Sequence, residues 1–90
     1  MVRVRVSSHK KQSKRRTFSK IRHTLLKHLA LSQKNIRELA TTSKVNWRTT
    51  RDHMIFFLGM GYAREVFSSP QVRIFEITQK GMEALVKNEI

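Results

Sequence analysis

From Thr17 onward, apolar residues recur at helical spacing. Phe18, Ile21, Leu25 and Leu29 fall three or four apart, and Leu26 widens the stripe. This pattern predicts one buried face of a helix that ends near Ser32, with Thr17 or Ser13 available to cap its start. The next stretch, "NIRELA", predicts a second helix. Asn35 can accept a backbone N–H as N-cap, Glu38 can reach back three residues as in a capping box, and Ile36, Leu39 and Ala40 face inward. After "TTSK" and Val45, Asn46 is a further N-cap candidate, and "WRTTRDHMIFFL" predicts a third helix to Leu58. "GMGY" is expected to close it, since Gly59 and Gly61 allow the left-handed backbone of a helix end. Beyond Gly61 the period shortens from about 3.6 to 2. "YAREVF" and "VRIFEI" are rich in β-branched and aromatic residues, and "SSPQ" between them supplies a turn, so the pair predicts a hairpin. Finally, "TQKGMEALVKNEI" offers Thr78 as cap and Met82, Leu85 and Val86 at helical spacing, a short closing helix.

The charge is strongly one-sided. The 90 residues hold 19 Lys and Arg against 6 Asp and Glu, a net charge of +13. Such a chain gathers anions and favours a polyanion as partner: DNA, RNA or an anionic membrane. Hydrophobic content of 39% suits one small domain with a modest core and little room for an enclosed active site. No apolar run approaches the ~20 residues of a membrane span, and no apolar segment marks the amino terminus for secretion. A cytoplasmic, nucleoid-associated protein is the expectation. There is no cysteine, which removes disulfides, thiol nucleophiles and cysteine zinc sites.

Composition divides the chain into a basic tail, residues 1–16, and a domain over residues 17–90. The tail "MVRVRVSSHKKQSKRR" carries seven basic residues and no acidic one, leaving 12 basic against 6 acidic residues in the rest. A segment so cationic and without aromatic residues buries too little surface to order itself, and a mobile arm is expected. Val2, Val4 and Val6 alternate with Arg3 and Arg5, a short strand pattern that can pair with a sheet edge or a second copy.

The run "NIRELATTSKVNWRTTRDHMIFFLGMGYAREV", continued by "RIFEITQKGMEAL", resembles the winged helix-turn-helix regulators, in particular the small archaeal type that closes with an "ITxKG" motif. The resemblance covers roughly Ser19 to Leu85. It implies an α+β fold: a three-helix core, a two-stranded wing and a short C-terminal helix, in the order α-α-α-β-β-α. Ala40 matches the small residue that lets the third helix approach the second. Val45 matches the apolar residue after the turn, Gly61 and Tyr62 the junction to the wing, and Ile77, Thr78, Lys80 and Gly81 the exit from it. Lys44 stands where a turn glycine is usual, and Thr50 where Val or Ile is usual. Both fit if Lys44 adopts the left-handed turn and Thr50 packs with its hydroxyl bonded back to the helix.

In that family the helix that opens at Asn46 lies in the major groove of double-stranded DNA, its start toward the bases and its end anchored in the domain. The resemblance thus implies DNA contacts at Asn46, Trp47, Arg48, Thr49 and Arg51, with Thr50, Met54, Phe57 and Leu58 inward. Arg48 and Arg51, three apart, can reach one surface together and bridge guanine or clamp phosphate. The plainer and less favoured alternative makes Trp47 a partly buried packing residue and the arginines a solvated face. On the wing, Ser68, Ser69 and Gln71 offer hydrogen bonds, and Arg64 and Arg73 flank them, although Arg73 shares a strand face with Phe75 and Ile77. Lys34 either holds a phosphate with the N–H groups of the second helix or is a simple surface lysine. Arg15 and Arg16 are candidates for a minor-groove arm.

One helix stripe cannot bury Ile55 and Phe56 together with Met54, Phe57 and Leu58. A homodimer is the favoured explanation, and packing against the closing helix the plainer one. His9, His23, His28 and His53 show no metal-ligand spacing and read as surface or capping residues. No Gly-rich phosphate loop, nucleophile motif or carboxylate pair stands out, so neither enzyme activity, cofactor, metal nor small-molecule substrate is expected. Sequence-specific binding of duplex DNA by a transcriptional regulator that occupies promoters is the leading reading. Structural RNA binding of a ribosomal type, or low-specificity coating of DNA, are the alternatives.

Overall fold

The computed structural model describes residues 17–90. The basic tail, with Arg15, Arg16, the cap candidate Ser13 and the Val2–Val4–Val6 alternation, lies outside the described residues. The elements run in chain order α1 (Phe18–Leu31), α2 (Ile36–Ser43), α3 (Trp47–Met60), β1 (Ala63–Ser68), β2 (Arg73–Ile77) and α4 (Gln79–Lys87). This is the expected α-α-α-β-β-α order.

Each helix starts where a short polar side chain can satisfy a free N–H. Thr17 accepts from Lys20, Asn35 from Glu38, Asn46 from Thr49 and Thr78 from Gly81. At α2 the reciprocal bond is also made, Glu38 Oε1 accepting from the Asn35 N–H at 3.0 Å. The turn from α2 to α3 is carried by Lys44 at φ 58, whose N–H and that of Val45 return to the last carbonyls of α2. A non-glycine residue does occupy the left-handed position. Thr50 is fully buried, and its hydroxyl donates to the Asn46 carbonyl at 2.9 Å, which satisfies the one polar group that Val or Ile would lack.

Leu25, Leu26 and Leu29 of α1 and Leu39 of α2 meet Met54 and Phe57 of α3, and Phe75 of β2 closes the cluster. The hairpin is antiparallel, Ala63 facing Ile77 and Ser68 facing Arg73, with a bulge at Val66 between Glu65 and Phe67. On its other edge β2 exchanges two backbone bonds with Lys34, which makes that residue a one-residue third strand.

The exit from the wing explains the "ITQKG" motif. The Thr78 hydroxyl donates to the Gly61 carbonyl at 2.6 Å and accepts from the Gly81 N–H, while the Thr78 N–H donates to the Tyr62 carbonyl. One threonine therefore ties the end of α3 to the start of α4. Gly81 lies against the Tyr62 backbone, where no side chain fits.

Several expectations are corrected. The third helix runs through Gly59 to Met60, and Gly61 alone supplies the left-handed end, at φ 77. Phe18 is not part of the buried stripe: it is 68% exposed, because α1 reaches past the core at its start. Met82 and Val86 face solvent, and α4 packs through Gly81, Ala84 and Leu85. Phe56 is half-buried under Arg22, whose guanidinium stacks 3.8 Å from its ring centroid, whereas Ile55 remains 60% exposed.

His53 is also not a surface residue. It is buried on α3, with its ring edge-on to Phe18 and its Nδ1 accepting from Arg22 Nε at 3.4 Å. Burial pushes its pKa below the ordinary 6.5, the Arg22 charge lowers it further, and Asp52 opposes both. The unfolded chain therefore binds this proton more readily than the folded one. Stability should be full above the ordinary imidazole value and decline as the pH falls toward the depressed native one. Thermal unfolding across that window should show this slope in the wild type and a shallower one in His53→Gln. An identical slope in the variant would assign the dependence to other groups.

Candidate nucleic-acid interface

One edge of the molecule collects the start of α3, the start of α2 and the tip of the wing. α3 is anchored by its carboxyl half, with Met54 and Phe57 in the core, and Thr50 fixes its rotation one turn from the start. That rotation turns Asn46, Trp47 and Arg48 outward, with Thr49 half-buried beside them.

The two α3 arginines are not equivalent. Arg48 is exposed and, among the described residues, has no hydrogen-bond or ion-pair partner. Arg51 is half-buried. Its guanidinium lies 5.4 Å from the Trp47 ring centroid and pairs with Asp52 at 3.1 Å. The spacing of three residues suggested one shared surface, yet Arg51 turns toward the wing side while Arg48 projects freely.

The wing is electrically self-contained. Arg64 donates to Glu76 at 2.6 Å across the strands, and Arg73 to Glu65 at 2.5 Å. Arg64, and after it Gln33, hold the Glu76 carboxyl below the ordinary carboxylate value, while Glu65 raises the Arg73 pKa. These exposed pairs are open to competition from a stronger anion, as surface ion pairs contribute little. At the tip, Ser69 spends its hydroxyl on the turn itself, accepting from the N–H groups of Gln71 and Val72. Ser68 and the Gln71 side chain remain exposed.

Lys34 is corrected. Its ammonium is directed inward and donates to the His28 carbonyl and the Ser32 hydroxyl, both at 2.8 Å. It thereby caps the carboxyl end of α1, where a cation complements the helix dipole. It is neither a surface lysine nor free to hold a phosphate. The exposed cation at the start of α2 is Arg37, which sequence reasoning passed over; its place two residues after the cap Asn35 was the available signal.

Among the described residues no group of His, Asp or Glu side chains is placed to hold a metal ion, and no helix is long and apolar enough to cross a membrane.

No protein-family model matches the chain, and no curated protein matches it in sequence. Solved structures do match its shape. The crystal structure of the transcriptional regulator BldR from Sulfolobus solfataricus is similar with a TM-score of 0.69 at 21% identity, over 78% of this chain and 52% of that one. Sso10a-2, a DNA-binding protein from Sulfolobus solfataricus, is similar with a TM-score of 0.72 at 18% identity, over 82% of this chain and 76% of that one. The adhesin competence repressor AdcR from Streptococcus pyogenes gives 0.65 at 13% identity, over 89% and 60%. The chain thus spans about half the length of the BldR chain. The fold is a winged helix-turn-helix.

In winged-helix terms, α2 and α3 form the helix-turn-helix with Lys44 in its turn, and β1 and β2 form the wing. Ala40, the small residue of α2, is buried, and its carbonyl accepts from the Val45 N–H at the turn.

Proposed function

We propose that this protein binds double-stranded DNA through the exposed start of α3 and regulates transcription by occupying promoters. Arg48 carries the reading: it is an unpaired, exposed guanidinium on a helix whose other end is locked in the core. Such an arrangement fixes where the charge points before any ligand arrives, and its fork matches guanine O6 and N7. The net charge of +13 supports a polyanionic partner. Two structures of the same shape are named as a DNA-binding protein and a transcriptional regulator, which supports the same class. Asn46, Thr49, Arg51 and the wing residues Ser68 and Gln71 border the same edge, with Arg64 and Arg73 available once released from their carboxylates. A cytoplasmic location at the nucleoid follows from such a partner.

The protein acts as a homodimer on this reading, since Ile55 and Met60 leave apolar surface of α3 exposed. Selection of bound duplexes from a random pool is the test. A pair of inverted half-sites is expected; enrichment without any common motif would leave low-specificity coating of DNA. On the selected site, Arg48→Ala should cost ~1–3 kcal/mol and relax preference at one or two base pairs. Equal losses on selected and random duplex would reduce Arg48 to a phosphate contact.

A further inference from the structure

Between the start of α3 and the wing tip lies a cleft of about 640 Å³, with Arg37 and Trp47 on one wall, Ser69, Gln71 and Arg73 on the other, and Arg51 also lining it. Trp47 is 50% exposed there and is the only tryptophan of the chain. The Arg51 guanidinium covers part of its ring, and the Arg51 Nε is buried without a hydrogen-bond partner. Arg37 is exposed, with no partner among the described residues.

We propose that this cleft is a site for one unpaired nucleotide of a DNA strand, with its base stacked on Trp47 and its phosphate held by Arg37 and Arg51. The proposal rests on the nucleic-acid reading above and adds a second ligand form to it. A duplex turns its base faces inward and presents only edges and phosphates, so the face of an indole set into a concave wall gains little from it. An unstacked base offers its own face. An aromatic platform beside cations in a groove is the arrangement that binds single strands with little regard to sequence. Arg51 lines the cleft with a guanidinium that is partly exposed and held by an exposed pair with Asp52, which a phosphate in the cleft can outcompete. A nucleotide turned out of a helix, or an unpaired strand end, would therefore be captured next to the reading helix.

Because Trp47 is the sole tryptophan, its fluorescence reports the cleft directly. Three titrants separate the sources: a short oligothymidylate, a relaxed covalently closed circular duplex with neither ends nor loops, and inorganic phosphate. The oligothymidylate should quench saturably, and phosphate at equal concentration should not. With a labelled oligothymidylate, Trp47→Leu should weaken binding roughly 5- to 150-fold, the equivalent of the ~1–3 kcal/mol of one base–aromatic stack, and Trp47→Phe should retain most of the affinity. Absent quenching by the single strand, or single-strand affinity untouched in Trp47→Leu, would overturn the proposal. Should Trp47→Leu weaken the closed duplex alone, the cleft holds paired backbone, and the proposal fails while duplex binding stands. Binding of neither nucleic acid would defeat both readings.

Discussion

Gly81→Ala is expected to destabilise the fold by about 3 kcal/mol or more, at the upper end of what overpacking costs. A Cβ at position 81 would lie 2.1 Å from the Tyr62 carbonyl oxygen and 2.7 Å from Ile77 Cγ1. Neither obstacle is the loose end of a flexible side chain. The Tyr62 carbonyl is held by the Thr78 N–H, and Thr78 in turn binds Gly61, so relief would pull apart the junction of α3, wing and α4. For a domain of this size the loss corresponds to a fall in Tm of roughly 12 °C or more. Gly59→Ala should do the opposite. Its Cβ meets nothing within 4 Å, and an alanine inside α3 should stabilise by ~0.5–1 kcal/mol. Thermal unfolding followed by circular dichroism reads both. Equal Tm values for Gly81→Ala and the wild type would show that α4 does not pack on Tyr62 as described.

Removal of residues 1–16 should produce the largest change in DNA affinity. Seven positive charges leave with them, against a net of six on the remainder. Each phosphate neutralised contributes ~0.9 to the slope of log K against log salt, so the slope should fall by several units and affinity should drop on every duplex. The preferred site should stay preferred, because on the proposed reading bases are read by α3 while the tail supplies charge, with Arg15 and Arg16 as a minor-groove arm. Titrations of full-length and shortened protein over a range of salt concentrations measure this. An unchanged slope would take the tail off the DNA and turn attention to strand pairing through "VRVRV".

The features legible in the sequence are those decided locally. Thr17, Asn35, Asn46 and Thr78 cap the helices as their spacing suggested, since a cap depends on residues two or three away. The hairpin was legible for the same reason: its turn and its period lie within one short run. What escaped was decided by distant partners. Lys34 looks like any surface lysine until β2 pairs with its backbone and the end of α1 takes its ammonium. His53 is buried because Phe18 and Arg22 cover it from α1, residues more than thirty positions earlier. Gly59 and Gly61 are alike in sequence, and the chain turns at Gly61, where the next residue, Tyr62, is buried and returns its N–H to the Phe57 carbonyl. In the candidate site, the outward start of α3 was foreseen, while the division between Arg48 and Arg51 was not. It depends on Asp52 and Trp47 both engaging the Arg51 guanidinium, while Arg48 has no such partner among the described residues.

Base reading in a duplex by α3 is the core of the proposed function. Its most direct test is the ratio of affinities for a selected duplex and a random duplex of equal length, at one fixed salt concentration, with a structured RNA as competitor. A ratio of roughly 10³ or more, with weak competition by RNA, is the predicted result. A ratio near one, or RNA that displaces the selected duplex at equal concentration, would contradict it.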